Sequence, residues 1–352
     1  MEQTERTSNR IPKLGAVKRK AVALDEESRV EETPLSSDKG FPVVVRPAVD
    51  GLDPCAWAAG HRAHIETLLA KHGGVLFRGL NIDSVAKFEQ FVASFRLEGV
   101  GYYDQHTPRT RLTSGVFTST EYPADHHVPF HSENSKNHVW PMKIWFCCLQ
   151  PAARGGETPI ADNRLVYERI PPHIREPFIE KKVMYVRNFG EGAGLPWQTA
   201  FQTEDPSEVE RYCREADMEF EWKEGNRLRV RHVCQAVTVH PTAGENLWFN
   251  QAHLFHVSNL TPEVRASLLS LFKEEDLPSN SYYGDGTPIP DSALDEVREA
   301  YRQSSVAFPW QERDVLMLDN MLMAHSRSPF TGVRKVIVAM ADSFSWREKS
   351  PS

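Results

Sequence analysis

Residues 128–146 read VPFHSENSKNHVWPMKIWF. A histidine, His131, and a carboxylate, Glu133, stand two apart in front of an apolar run. Pro129 discourages helix at Val128. In extended chain, positions i and i+2 share a face, so both side chains can reach one ion. The pattern alone is weak: 14 histidines and 48 acidic residues in 352 give about two such pairs by chance, and two occur. The other is His64-Ile65-Glu66, inside DPCAWAAGHRAHIETLLAKHGG. That segment predicts a helix, with Asp53 as N-cap, Pro54 at the first helical position and Gly73 as the stop. On a helix, i and i+2 point apart. His64 therefore reads as a surface or helix-flank residue.

A third ligand must come from elsewhere. Two histidines and one carboxylate with open positions suit a non-haem Fe(II) that binds oxygen. His126 and His127 adjoin the pair but point to opposite faces if extended. His253 and His256, in FNQAHLFHVSNL, could form a pair of their own if helical. His325 follows the strand-like DVLMLDN, and the residues beyond it favour it. PFTG is a turn and VRKVIVAM a strand, in which alternation puts Arg334 on one face with Val336, Val338 and Met340. An arginine heading an apolar row needs a buried anion. That anion is either a structural Asp or Glu, or a carboxylate-bearing cosubstrate.

Around this stretch, short β-rich runs are separated by Pro and Gly: KIWFCCLQ, KKVMYVRNF, HVCQAVTVH, DVLMLDN and VRKVIVAMADSF. Beyond residue 111 two segments have a helical pattern, DPSEVERYCREAD and TPEVRASLLSLFKE. The pattern predicts a β-sandwich or barrel with helices outside. No βαβ rhythm and no glycine-rich phosphate loop is present. GVLFRGL reads as a buried strand and SVAKFEQFVASF as an amphipathic helix. Residues 1–39 are polar and aperiodic, and are expected to form a flexible arm.

The composition is that of a globular protein, 40% hydrophobic and 25% charged. A net charge of −7 argues against a nucleic-acid partner, and Lys18–Lys20 reads as a solvated tail. No apolar run is long enough for a membrane span, and the N-terminus has no apolar signal core. A cytoplasmic protein is expected. The five cysteines form no C-x-x-C, and Cys147 and Cys148 read as small core residues.

Taken together, KHGGVLFRGL, TSTEYPADHHVPFHSEN, WPMKIWFCCLQPAARGGETPIAD, LWFNQAHLFHVSNL, YYGDGTPI and DVLMLDNMLMAHSRSPFTGVRKVIVAM resemble the TauD/TfdA group of Fe(II)- and 2-oxoglutarate-dependent dioxygenases. The resemblance runs over nearly the whole chain. It is strongest to the SyrP-like members found with nonribosomal peptide synthetases. It implies a mainly β fold with flanking helices, built on a double-stranded β-helix, or jelly roll. A single domain over 40–347 is expected, with 163–310 as an insertion contributing to a substrate lid.

The resemblance further implies that His131, Glu133 and His325 bind Fe(II), and that Thr158 and Arg334 bind the distal carboxylate of 2-oxoglutarate. It names Ser135, Asn137, Asn250 and Gln251 as candidates to hold an amino acid's polar groups. The implied reaction consumes O2 and hydroxylates an amino acid or aminoacyl group. That group would be carried by a peptidyl carrier protein, for which NRLRVRH (Asn226–His232) is the candidate docking edge. Desaturation, epimerisation or cyclisation of a free small molecule is the alternative within the fold. A non-catalytic metal- or ligand-binding jelly roll is the alternative outside catalysis. Glu133 fills the position that family halogenases leave open to halide. One departure stands out: Arg313-Asp314 occupies the place where relatives often have Gly-Asp.

Overall fold

The computed structural model describes residues 29–98, 110–119, 122–190 and 195–345. Most of the expected N-terminal arm, with Lys18–Lys20, lies outside the described residues, as do Thr120 and Glu121 of TSTEY.

Among the described residues, two facing sheets form the jelly roll. The major sheet runs in the order Val30–Pro34, Val43–Pro47, Gly74–Phe77, Val315–Asp319, Val139–Gln150, Lys335–Ser345, Val116–Thr118. The minor sheet runs Ser305–Val306, Ile160–Asp162, Met323–Arg327, Val128–His131. Strand alternation builds the layers. Ile144, Phe146, Val336 and Val338 face inward and share a core with Ile160 and Met323 of the minor sheet. Trp145, Cys147 and Met317 face outward and share a second core with Phe88, Phe91 and Phe95. The adjacent Cys147 and Cys148 thus enter different cores, both fully buried. Burial pushes the Cys148 thiol up to about 12.

The outer face of the major sheet is covered by Pro54–Gly60, Arg62–His72 and Val85–Ala93. The segment expected as one helix is two. Asp53 caps the first, accepting from Cys55 N at 2.9 Å and Ala56 N at 3.1 Å. The break falls at His61, whose ring stacks on Trp57 with centroids 5.0 Å apart. Gly73, at φ 67°, ends the second helix.

The expected flexible arm over 1–39 is corrected at its C-terminal end. Val30–Pro34 pairs antiparallel with Val43–Pro47, from Val30 opposite Pro47 to Pro34 opposite Val43. The strand buries almost no side chain, since four of its five residues are exposed. Backbone pairing holds it, with Val30 packed against the outer core and Glu32 bonded to His64 at 2.6 Å, which is why it shows almost no hydrophobic signature.

The stretch expected as an insertion holds more helix than expected. Pro206–Glu215 and Pro262–Leu271 match the two segments read from the sequence, but Asn163–Arg169, Pro172–Lys181 and Asp291–Gln303 also form and pack on the back of the minor sheet. Pro177 interrupts the pattern in one, and two of the buried positions in another are Ala293 and Ala300, which give little hydropathy contrast. A third sheet runs Glu219–Lys223, Arg227–Cys234, Val183–Phe189, Ser279–Tyr283.

This order corrects the docking edge assigned to Asn226–His232. Arg227–Cys234 is an inner strand, flanked on both sides. Arg229 is only 5% exposed and donates to Asp276 at 2.7 Å, Asn188 at 3.0 Å and the Glu275 carbonyl at 2.8 Å. An arginine run on a strand alternates faces, and here the middle arginine is committed to a structural ion pair. At the Arg313-Asp314 departure, Arg313 takes φ 71°, a backbone that glycine adopts without strain. Asp314, 1% exposed, receives Arg78 through Nη2 at 2.6 Å and Nε at 3.0 Å.

Candidate active site

His131 ends the strand Val128–His131, and His325 stands in the middle of Met323–Arg327. The two are direct partners across the antiparallel pair, with ring centroids 4.4 Å apart. The strand stops at His131, so Glu133 opens a turn rather than continuing an extended run. Asn134, at φ 58°, bends the chain there. Glu133 nevertheless reaches the histidines: one ligand atom from each of His131, Glu133 and His325 lies within 4.8 Å of the others. Two imidazoles and a carboxylate on one side of a point are the donor set that suits Fe(II) with open positions.

Neighbours fix each member. His131 Nδ1 is 2.9 Å from the Pro129 carbonyl, which can only accept, so Nδ1 carries the proton and Nε2 is left as the nitrogen that could bind a metal. Glu133 N donates to Asn320 Oδ1 at 2.7 Å, while Asn320 Nδ2 donates back to the Glu133 carbonyl at 2.9 Å and to the Pro141 carbonyl at 2.8 Å. Asn320 is fully buried. Asp319 accepts from Met321 N at 2.9 Å and Leu322 N at 3.0 Å, shaping the turn that returns the chain to His325.

A cavity opens beside the histidines, with His131, Phe146, Thr158, His325, Arg327 and Arg334 in its wall. Arg334 Nη2 is 3.3 Å from Thr158 Oγ1, Nη1 is 3.3 Å from Ser119 Oγ, and Nε donates to the Gly156 carbonyl at 2.8 Å. Thr158 also accepts from Trp310 Nε1 at 3.2 Å. No carboxylate lies within ion-pair distance of Arg334 among the described residues. Burial, reinforced by the positive charge of Arg327, pulls its guanidinium down to about 10. A desolvated cation with a hydroxyl beside it and no anion is a receptor for a carboxylate. The residues present therefore fit both groups: iron(II) on the histidines and Glu133, and a dicarboxylate's far end on Arg334 and Thr158.

The four residues named for substrate contact are placed differently. Ser135, Asn250 and Gln251 are buried and do not line this cavity. Gln251 Nε2 donates to the Ser132 carbonyl at 2.8 Å and to Ser135 Oγ at 3.0 Å, and Asn250 Nδ2 donates to the Ala236 carbonyl at 2.9 Å. Gln251 thus grips the turn that carries Glu133, and Ser135 is part of that turn, whereas Asn250 braces its own segment against Ala236. Asn137 lines a second cavity with Lys136, Tyr185, His232 and Phe255.

His253 stands behind the same strand, 2.9 Å from the Phe130 carbonyl, and burial pulls it down to about 3. His256 caps a short turn through Ser258 N at 3.1 Å. Neither belongs to the ligand set. Sequence reasoning missed Asn320, although the Asp-Asn pair ending DVLMLDN marked a turn. It also missed Arg327, which donates to the carbonyls of Tyr122, Pro123 and His126 at 2.9, 2.6 and 3.0 Å and ties that segment to the cavity wall.

Comparison with known proteins agrees with this geometry. Residues 33–340 match the taurine catabolism dioxygenase TauD, TfdA family. The chain is 43% identical over 278 residues to the dapdiamide synthesis protein DdaC of Enterobacter agglomerans, covering 79% of this chain and 84% of that one. It is 30% identical over 332 residues to a clavaminate synthase-like protein of Arabidopsis thaliana, covering 88% and 97%. Among solved structures, PvcB of Pseudomonas aeruginosa superposes with a TM-score of 0.55 at 14% identity, over 91% of this chain and 93% of that chain. A second structure of PvcB, described as an Fe, alpha-ketoglutarate dependent oxygenase from an isonitrile synthetic pathway, gives 0.53 at 13% identity, again over 91% and 93%. The chain belongs to the TauD/TfdA family and is an iron(II)- and 2-oxoglutarate-dependent dioxygenase.

Proposed function

We propose that this dioxygenase hydroxylates an amino acid or aminoacyl group, at or near the β-carbon, while it is tethered to a peptidyl carrier protein in nonribosomal peptide biosynthesis. The observation that carries the reading is the 43% identity, over most of both chains, to a protein named for dapdiamide synthesis. Bound iron(II), 2-oxoglutarate and O2 supply the oxidising chemistry, releasing succinate and carbon dioxide.

The chain's own residues supply position and dryness. His131 Nε2, Glu133 and His325 would hold the metal. Arg334 and Thr158 would hold the distal carboxylate of 2-oxoglutarate. Phe146, Val128 and Val338 line the cavity and keep water from it. The stretch 163–310 contributes to the substrate lid. In support, Gln251 of that stretch bonds the turn carrying Glu133.

The test compares free amino acids with the same residues loaded on a carrier protein, following succinate release and product mass. The reading predicts gain of one oxygen and faster turnover on the tethered substrate. Efficient oxidation of a free amino acid, with no gain on tethering, overturns the carrier. A product lacking the added oxygen means desaturation, epimerisation or cyclisation instead.

A further inference from the structure

We propose that His138, His232 and Cys234 form a second metal site, of the zinc class, that ties the turn carrying Glu133 to the third sheet. One ligand atom from each lies within 4.8 Å of the others, as in the iron set. The construction is also parallel. His232 and Cys234 are i and i+2 on the strand Arg227–Cys234, hence on one face. His138 arrives from the end of the turn that begins at Glu133. The rings of His138 and His232 are 4.7 Å apart at 81°. The Cys234 sulfur lies 3.3 Å from His232 Nδ1. His232 is 5% exposed and Cys234 1%.

The donors differ from those at the iron. Sulfur and two imidazoles without a carboxylate favour a borderline-soft ion such as Zn(II) over Fe(II), Mg(II) or Ca(II). The Cys234 thiol donates to the Lys136 carbonyl at 2.7 Å. Binding breaks the S–H bond, sends the proton to solvent and forms a metal–sulfur bond, with no change of oxidation state. Three protein ligands leave one position for water. The tie reinforces one already present, since Gln235 Nε2 donates to the Ser135 carbonyl at 2.8 Å.

Cobalt(II) titration of the full chain under anaerobic conditions tests the site, because Co(II) bound to thiolate has a near-ultraviolet charge-transfer band that the iron set, having no sulfur, cannot give. The expected result is a band that saturates by two equivalents, since Co(II) also fills the iron set, is bleached by Zn(II) and is absent in Cys234→Ser. In His138→Gln, which keeps the thiol and alters a less buried position, Co(II) should bind at least about tenfold more weakly, since one of three ligands is gone. This variant carries the test should Cys234→Ser fail to fold. Absence of the band in the folded wild-type protein overturns the site, as does a band indifferent to either substitution.

Discussion

His64 with Glu66, and His131 with Glu133, are the same three-residue pattern on two backbones. The first pair stands on the helix Arg62–His72, and its side chains part. His64 reaches Glu32 at 2.6 Å, and Glu66 reaches Lys143 at 3.0 Å on another element. The second pair stands where a strand runs into a turn, and its side chains converge with His325. Composition does not separate them; backbone direction and a partner strand do. His325 lies opposite His131 because Val128–His131 and Met323–Arg327 are neighbours, whereas no comparable histidine faces the helical pair among the described residues.

The largest effect that would break this comparison is at the convergent pair. Alanine at His131, Glu133 or His325 should abolish 2-oxoglutarate-dependent O2 uptake and weaken Fe(II) binding in an anaerobic titration. Full activity in His325→Ala would redirect the ligand search to His253 and His256. Next comes Arg334→Lys, which keeps the charge but loses the forked geometry. Loss of one charge-assisted hydrogen bond, about 1.5–3 kcal/mol, should raise the 2-oxoglutarate KM roughly 10–100-fold and the organic substrate's KM far less. An unchanged cosubstrate KM would make Arg334 structural.

Asn320→Ala sharpens the comparison by loosening the turn that makes Glu133 converge. It should cost about 1–3 kcal/mol of stability in thermal or urea unfolding and about tenfold in Fe(II) affinity. His253 tests the other side of the same strand. Its folded value of about 3 lies below the ordinary 6.5, so the unfolded chain takes the proton first. Stability is therefore complete above 6.5 and falls as pH drops toward 3. The loss at about pH 5.5 should be about 1 kcal/mol in wild-type protein. It should vanish in His253→Gln, which keeps a donor for the Phe130 carbonyl; an identical acid profile would exclude His253 as the source. The smallest effect belongs to the divergent pair. His64→Ala should change stability by no more than about 0.5 kcal/mol and leave turnover and iron binding at wild-type levels.

The strand runs, the helix caps at Asp53 and Gly73, and the convergence of His131, Glu133 and His325 were legible because each depends on residues close in sequence or on a short list of alternatives. Arg334 was legible only in part: a charge on an apolar face demands an anion, but the residues alone left a structural carboxylate and a cosubstrate both open. The resemblance to relatives was needed for Thr158, which as a sequence feature is an ordinary strand-edge threonine. Ser135, Asn250 and Gln251 were harder. A polar side chain near a site can bind substrate or brace a turn, and which it does depends on partners more than a hundred residues away, as with Gln251 and Ser132. The arginines of Asn226–His232 gave no sign that Asp276 and Asn188 would bury the middle one. Val30–Pro34 left no trace because it contributes hydrogen bonds and almost no apolar surface.

The strand Val128–His131 borders the minor sheet, with a sheet neighbour on one side only among the described residues. Borders of sheets are where pairing frays first. On the proposed ligand set, an ion shared by His131 and His325 would be a rung across that outermost pairing, next to the backbone bonds. Iron retention and the cohesion of this border would then be linked, each raising the other by the same free energy. An enzyme that loses its metal also loses a clasp, so amide hydrogens of Phe130 and His131 should exchange with deuterated solvent before those of the buried strand Val315–Asp319. On that ligand set, loss of the metal and the lifting of one four-residue strand are coupled events.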